Sequence, residues 1–147
     1  LTNTENNLLI NELKTNYNIS ITTSNKEIID KAISIYKKRS INIFELNKNI
    51  MPYSKNYDTN KNIKFSGETL IIIKKFYDLI KAEENWSTAN LNHIIKKFIN
   101  TNNIKFILLG KPLRLILTGY ENGPTITDIF YILGKKDTLN RIHNFLI

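Results

Sequence analysis

The sequence predicts an all-α protein, and three observations carry that prediction. Apolar residues recur at i, i+3, i+4 and i+7 through most of the chain. Residues suited to helix starts, Ser, Thr and Pro, stand just ahead of those periodic runs. Clean period-2 alternation is scarce: residues 71–73 and 104–109 are apolar enough for strands, but such short runs do not distinguish a strand from buried helix.

The elements follow in order. Residues 5–17 read as a weak helix with Leu8, Leu9, Leu13 and Tyr17 on one side. Ser24-Asn25-Lys26-Glu27 has the form of a capping box, Ser at the cap and Glu three residues on. Ile28, Ile29, Ala32, Ile33 and Tyr36 follow it on one helical face. Residues 47–64, rich in Asn and Lys with Pro52 inside, read as a loop or linker. A subdomain boundary is expected near Met51, which divides the chain into residues 1–51 and 52–147. Ser66-Gly67-Glu68 opens a helix with Leu70, Ile73, Phe76, Tyr77 and Ile80 inward, and Ser87 or Thr88 caps one carrying Leu91, Ile94, Ile95 and Phe98. Pro124 suits the first turn of the next helix, where its missing N–H would have no partner anyway. That helix holds Ile126, Ile129, Phe130 and Ile132 and ends near Gly134. A last short helix runs from about Asp137, with Leu139, Ile142, Phe145 and Leu146 inward.

The chain has 147 residues and a formal net charge of +8. Its hydrophobic fraction of 41% supports a buried core and excludes a disordered basic tail. There is no Cys, which excludes a disulfide framework, a thiolate zinc site and a Cys nucleophile. No apolar run approaches the ~18 residues of a membrane span, and the first residues lack the pattern of a signal peptide. Without an initiator Met the chain reads as a piece of something longer. Asn, Ile and Lys supply 66 of its residues. All three use A- and T-rich codons, so part of the Lys excess reflects composition rather than function. Only Arg39, Arg114 and Arg141 are arginines, and each is more informative than any one Lys, because Lys cannot copy the planar fork of donors. The charge is uneven: net +2 over residues 1–51 and +6 over residues 52–147.

Catalytic patterns are missing. There is no GxxxxGK[ST], GxGxxG, HExxH or GxSxG. His93 and His143 are fifty positions apart and read as structural or surface residues, and the adjacent Glu83 and Glu84 as a solvated helix end. The sequence therefore points to no catalytic, cofactor-binding or metal-ligating residues. A basic helical domain with scattered aromatics is compatible with RNA, where phosphates supply affinity and unstacked bases supply specificity.

One stretch narrows this. Gly110-Lys111-Pro112-Leu113-Arg114 is followed by Leu117-Thr118-Gly119, then Gly123-Pro124, Leu133-Gly134-Lys135 and Arg141-Ile142. Trp86 followed by Ser87, and Arg39 with Ile43 and Leu46, stand upstream at matching places. In this order and spacing the chain resembles, over essentially its whole length, the C-terminal anticodon-binding region of bacterial glutamyl-tRNA synthetases. The resemblance implies two small helical subdomains in a row. It also implies a class I parent, a glutamate–tRNA ligase, whose separate catalytic domain uses ATP and Mg. The fragment itself would hold neither cofactor and charge nothing. The implied partner is tRNA(Glu), read through its anticodon by a cytoplasmic monomer with no membrane association. Two alternatives stay open: a non-discriminating synthetase that also charges tRNA(Gln), and a stand-alone helical RNA-binding module.

The resemblance also assigns residues. Arg39 matches the arginine that reads the third anticodon base, a cytosine, whose acceptor edge suits a donor-only side chain. Arg114 matches the arginine of the family's Pro-Leu-Arg and would meet anticodon phosphate or base, or else pair with an acid such as Asp128. Gly123, Pro124, Thr125 and Ile126 match the loop-to-helix turn that contacts the first two anticodon bases, with Ile126 placed to pack on a base face. Gly123 and Thr127 stand where some members have Thr and Phe, so contacts made by those side chains would fall to the backbone. Lys96 and Tyr120 are candidates for tRNA backbone contact and stacking, and Trp86 for the core.

Overall fold

The computed structural model describes residues 1–54 and 62–147. Among them are seven helices and no strand: α1 (Asn6–Asn16), α2 (Lys26–Tyr36), α3 (Ile43–Ser54), α4 (Gly67–Lys81), α5 (Thr88–Asn102), α6 (Ile107–Thr118) and α7 (Ile126–Leu146). The all-α expectation is borne out. The chain forms two compact units, Leu1–Tyr57 and Asp58–Ile147.

The first unit packs α1, α2 and α3. Leu9 and Leu13 of α1 meet Ile29, Ala32 and Ile33 of α2 and Leu46 and Ile50 of α3 in its core. The Tyr36 and Tyr53 hydroxyls share a hydrogen bond of 2.8 Å, so these two polar tips are satisfied when buried. The capping box at Ser24 does not form. Asn25 is the cap residue, and its amide holds the preceding turn by accepting from the Thr22 N–H and donating to the Ser20 carbonyl. Ser24 instead meets the Thr22 hydroxyl.

The expected loop at residues 47–64 is also corrected. Helix α3 continues through Met51 and Pro52 to Ser54. Pro52 removes one helical N–H, but Leu46, Ile50 and Tyr53 lie at i, i+4 and i+7 and are all buried. Their burial outweighs a lost bond near the end of the helix. The Ser54 carbonyl then accepts from Asn25 Nδ2 at 3.0 Å. Residues 55–61 of the expected loop lie outside the described residues.

The second unit is built on an aromatic cluster. Phe76 of α4 contacts Phe98 of α5 edge-on at 5.2 Å and stacks on Phe130 of α7 at 6.3 Å. Trp86 packs on Phe130 at 5.7 Å and donates its indole N–H to the Phe130 carbonyl, a half-buried ring against the cluster rather than inside it. The caps at Ser66 and Ser87 are present, each hydroxyl accepting from the backbone N–H three residues on. In α4 the inward set includes Ile72 rather than Leu70, which is exposed. The run around residues 104–109, ambiguous in sequence, resolves as the approach to α6. That helix buries Leu109, Leu113, Ile116 and Leu117 and carries Pro112 inside it. Pro124 is not in the first turn of α7; it precedes the cap residue Thr125, whose hydroxyl accepts from Asp128 N. The break expected near Gly134 is present as a non-helical residue inside α7 with φ +77°, a conformation glycine adopts without a Cβ clash.

Candidate nucleic-acid interface

The loop from α6 to α7 is tied to its supporting helices at several points. Thr118 Oγ1 donates to the Arg114 carbonyl at 2.8 Å and accepts from Tyr120 N at 3.2 Å. Lys111 lies 3.4 Å from the Glu121 carboxylate across an exposed pair. Arg114 Nε donates to the Pro124 carbonyl at 3.2 Å. Arg141, from the far end of α7, donates to the Leu117 carbonyl at 2.8 Å. That bond satisfies one of the last carbonyls of α6, which lack partners within the helix. The Pro-Leu-Arg motif therefore serves, in part, to fix this loop, and the Arg-Ile motif to join α7 to the end of α6.

Beyond the loop a cleft of about 350 Å³ opens between Lys96 of α5, Phe106 ahead of α6, and Thr125, Ile126 and Thr127 at the start of α7. Phe106 is 43% exposed, unusual for an aromatic side chain set against a helix. Its ring lies where a side chain at Gly110 would be: a Cβ there would come within 2.6 Å of the ring. Gly110, one helical turn on, is thus required for the ring's position. Lys96 is exposed, and among the described lining residues none is acidic. The first-turn amides of α7 lack partners within the helix and carry a partial positive charge. One of them is taken by Thr125, whose hydroxyl also lies 3.1 Å from that of Thr127. A groove with a cation, an open ring and a helix start suits a nucleotide.

In the first unit Arg39 is exposed on the turn after α2. Its N–H bonds the Tyr36 carbonyl at 2.9 Å, and Ser40 Oγ bonds the same carbonyl at 2.8 Å. The neighbouring Lys37 is occupied: its ammonium donates to the Thr4 carbonyl and Asn6 Oδ1. The start of α3 is fixed reciprocally, Asn42 Oδ1 accepting from Glu45 N and Glu45 Oε2 from Ile41 N.

The structure thus gathers Lys96, Thr125 and Ile126 on one cleft. It places Arg114, Tyr120, Gly123 and Pro124 on or against the adjoining loop, and Arg39 in the other unit. Arg114 uses the Pro124 carbonyl, not Asp128, as its hydrogen-bond partner. Ile126 departs from expectation: it is 2% exposed, because it shares the inward face of α7 with Ile129, Phe130 and Leu133. It can floor the cleft but offers no open face to a base. Sequence reading missed Phe106, whose signal was the glycine four residues later, and Phe44, 66% exposed beside the Arg39 turn. Phe44 lies off the buried Leu46–Ile50–Tyr53 face of α3. A larger cleft of about 880 Å³, flanked by Leu70, Ile71, Lys75 and Phe145, contains none of the sequence-assigned residues. Among the described residues, no helix is long and apolar enough to cross a membrane.

Comparison with known proteins gives the same direction. The family model for the anticodon binding domain matches residues 7–146. Glutamate–tRNA ligase 1 of Bartonella henselae is 30% identical over 121 residues, covering 82% of this chain and 22% of that protein. Glutamate–tRNA ligase 2 of Nitratiruptor is 31% identical, covering 82% and 26%. Glutamate–tRNA ligase 1 of Aliarcobacter butzleri is 32% identical over 148 residues, covering 96% and 31%. The chain spans between about a fifth and a third of the length of these relatives.

Proposed function

Because the chain belongs to the anticodon-binding domain family and matches glutamate–tRNA ligases over most of its length, we propose that it reads the anticodon of tRNA(Glu) for a parent ligase. The parent, in this reading, attaches glutamate to tRNA with ATP and Mg and works in the cytoplasm as a monomer. Its chemistry belongs to the part of the relatives that this chain does not span. The sequence here has no phosphate-cradling glycine pattern.

The observation that carries the proposal is the second unit's cleft and loop. Lys96, Phe106 and the start of α7 surround one groove, and Arg114, Lys111 and Thr118 hold the loop that leads into it. This is what recognition of an unpaired RNA loop requires. Cations meet phosphate, an aromatic ring meets a splayed base, and fixed backbone donors meet base edges. Arg39 supplies the corresponding feature in the first unit: an exposed fork of donors on a turn held by its own backbone.

Charging assays with the full-length parent on purified tRNA(Glu) and tRNA(Gln) test the reading. Glutamylation of tRNA(Glu) alone is expected. Equal rates on both would make the parent non-discriminating. Charging of neither would return the chain to a stand-alone RNA-binding module.

A further inference from the structure

We propose that Phe106 is a stacking platform for one unstacked base of the bound RNA loop, with Lys96 meeting that nucleotide's phosphate; this rests on the anticodon-reading function proposed above. No motif of the sequence marks Phe106, and its role follows from position. The ring is 43% exposed and lies over Gly110, whose missing side chain leaves it room there: a Cβ at that position would come within 2.6 Å of it. The cleft it borders, about 350 Å³, is at the small end of the ~300–1,000 Å³ range of ligand pockets, suited to a single base rather than a duplex.

The other walls suit the same occupant. Lys96 is an exposed cation on the cleft, and no described lining residue opposes it with negative charge. Ile126 and Ile95 give an apolar floor. Thr125 adds an exposed hydroxyl, which also accepts from Asp128 N and lies 3.1 Å from the buried Thr127 hydroxyl, and the first turn of α7 adds backbone amides. Stacking on a ring tolerates any base, so the platform supplies affinity and register while neighbouring donors supply choice.

The test measures binding of the 147-residue chain to an anticodon stem–loop RNA of tRNA(Glu), and to the same RNA made abasic at each anticodon position in turn. Phe106→Leu is expected to weaken binding to the intact loop ~5- to 100-fold, the range for loss of one base–aromatic stack. Phe106→Tyr is expected to bind as the unaltered chain does. At one abasic position the unaltered chain should lose affinity, and there Phe106→Leu should cost nothing more. Phe106→Trp keeps the test independent of how well the Leu variant folds. Its added fluorescence should be quenched by intact RNA and not by the RNA abasic at that position, with the unaltered chain's Trp86 as blank. Unchanged binding by Phe106→Leu, or an equal loss on every abasic RNA, would overturn the platform and leave anticodon reading intact. If the unaltered chain binds the stem–loop no better than one with a scrambled loop, anticodon reading fails and the platform with it.

Discussion

Arg39 and Arg114 are the same residue type placed in two different ways. Arg39 stands exposed on a turn where its own N–H and the Ser40 hydroxyl both bond the Tyr36 carbonyl. Arg114 is half-buried in α6, and its Nε holds the Pro124 carbonyl of the loop ahead of α7. The second side chain is part of the scaffold of that loop. Removing Arg39 should therefore subtract a contact to the ligand, while removing Arg114 should also loosen the surface that makes other contacts. A loss of RNA binding means different things at the two positions unless stability is measured beside it.

The largest effect on stability separates them first. Arg114→Ala should destabilise the second unit by about 1.5 kcal/mol, the lower end for a hydrogen bond from a charged donor because the group is half-exposed. Arg114→Lys should not restore that loss, since an ammonium cannot reproduce the Nε–H of a guanidinium. Arg39→Ala should leave stability within about 0.5 kcal/mol of the unaltered chain, as surface substitutions usually do. Thermal denaturation of the three variants decides it. Equal shifts at Arg39 and Arg114 would erase the distinction.

The next effect is on specificity. With the full-length ligase, Arg39→Gln should reduce the preference for cytosine over guanine at the third anticodon position by about 1–3 kcal/mol, the range for a good side-chain contact to a base edge. Stability should be unaffected. Competition between two stem–loops differing at that base measures it. An unchanged preference would remove Arg39 from base reading.

How much of this was legible in the sequence varies with the physical cause. Helices with a clear apolar face were legible, because burial follows the 3.6-residue period, and so were the Ser66 and Ser87 caps. The end of α3 was not, because Pro52 reads as a breaker while the burial of Tyr53 is a tertiary fact. Nor was the Ser24 box, since the competing use of Asn25, which reaches Ser54 twenty-nine residues away, leaves no local trace. Among site residues, Arg114 and the Gly123–Thr125 turn were marked by motif. Their mutual hydrogen bond was not, and neither was the inward turn of Ile126. Phe106 carried only the indirect signal of Gly110.

A third effect tests the start of α7. Thr125→Val keeps the side chain's shape but removes the hydroxyl that accepts from Asp128 N. It should cost about 1 kcal/mol of stability, between the values expected for Arg114→Ala and Arg39→Ala. Urea denaturation of the variant gives the number. A loss below about 0.3 kcal/mol would show that water caps this helix as well as Thr125 does.

The smallest effect uses two lysines that composition cannot tell apart. Lys96 is exposed on the second unit's cleft, whereas the Lys37 ammonium is engaged by the Thr4 carbonyl and Asn6 Oδ1 in the first unit. If Lys96 neutralises one phosphate, Lys96→Ala should weaken binding alike for every anticodon. It should also make the slope of log affinity against log salt shallower by about 0.7–0.9, the counterion release of one contact. Lys37→Ala should leave that slope alone and lower stability instead, because it strips a donor from two acceptors, Thr4 ahead of α1 and Asn6 at its start. Salt titrations of RNA binding, run beside thermal denaturation, measure both quantities on both variants. An unchanged slope for Lys96→Ala would remove the phosphate contact. A shallower slope for Lys37→Ala would mean that its ammonium leaves Thr4 and Asn6 to meet RNA, so that the first unit, too, uses part of its scaffold in binding.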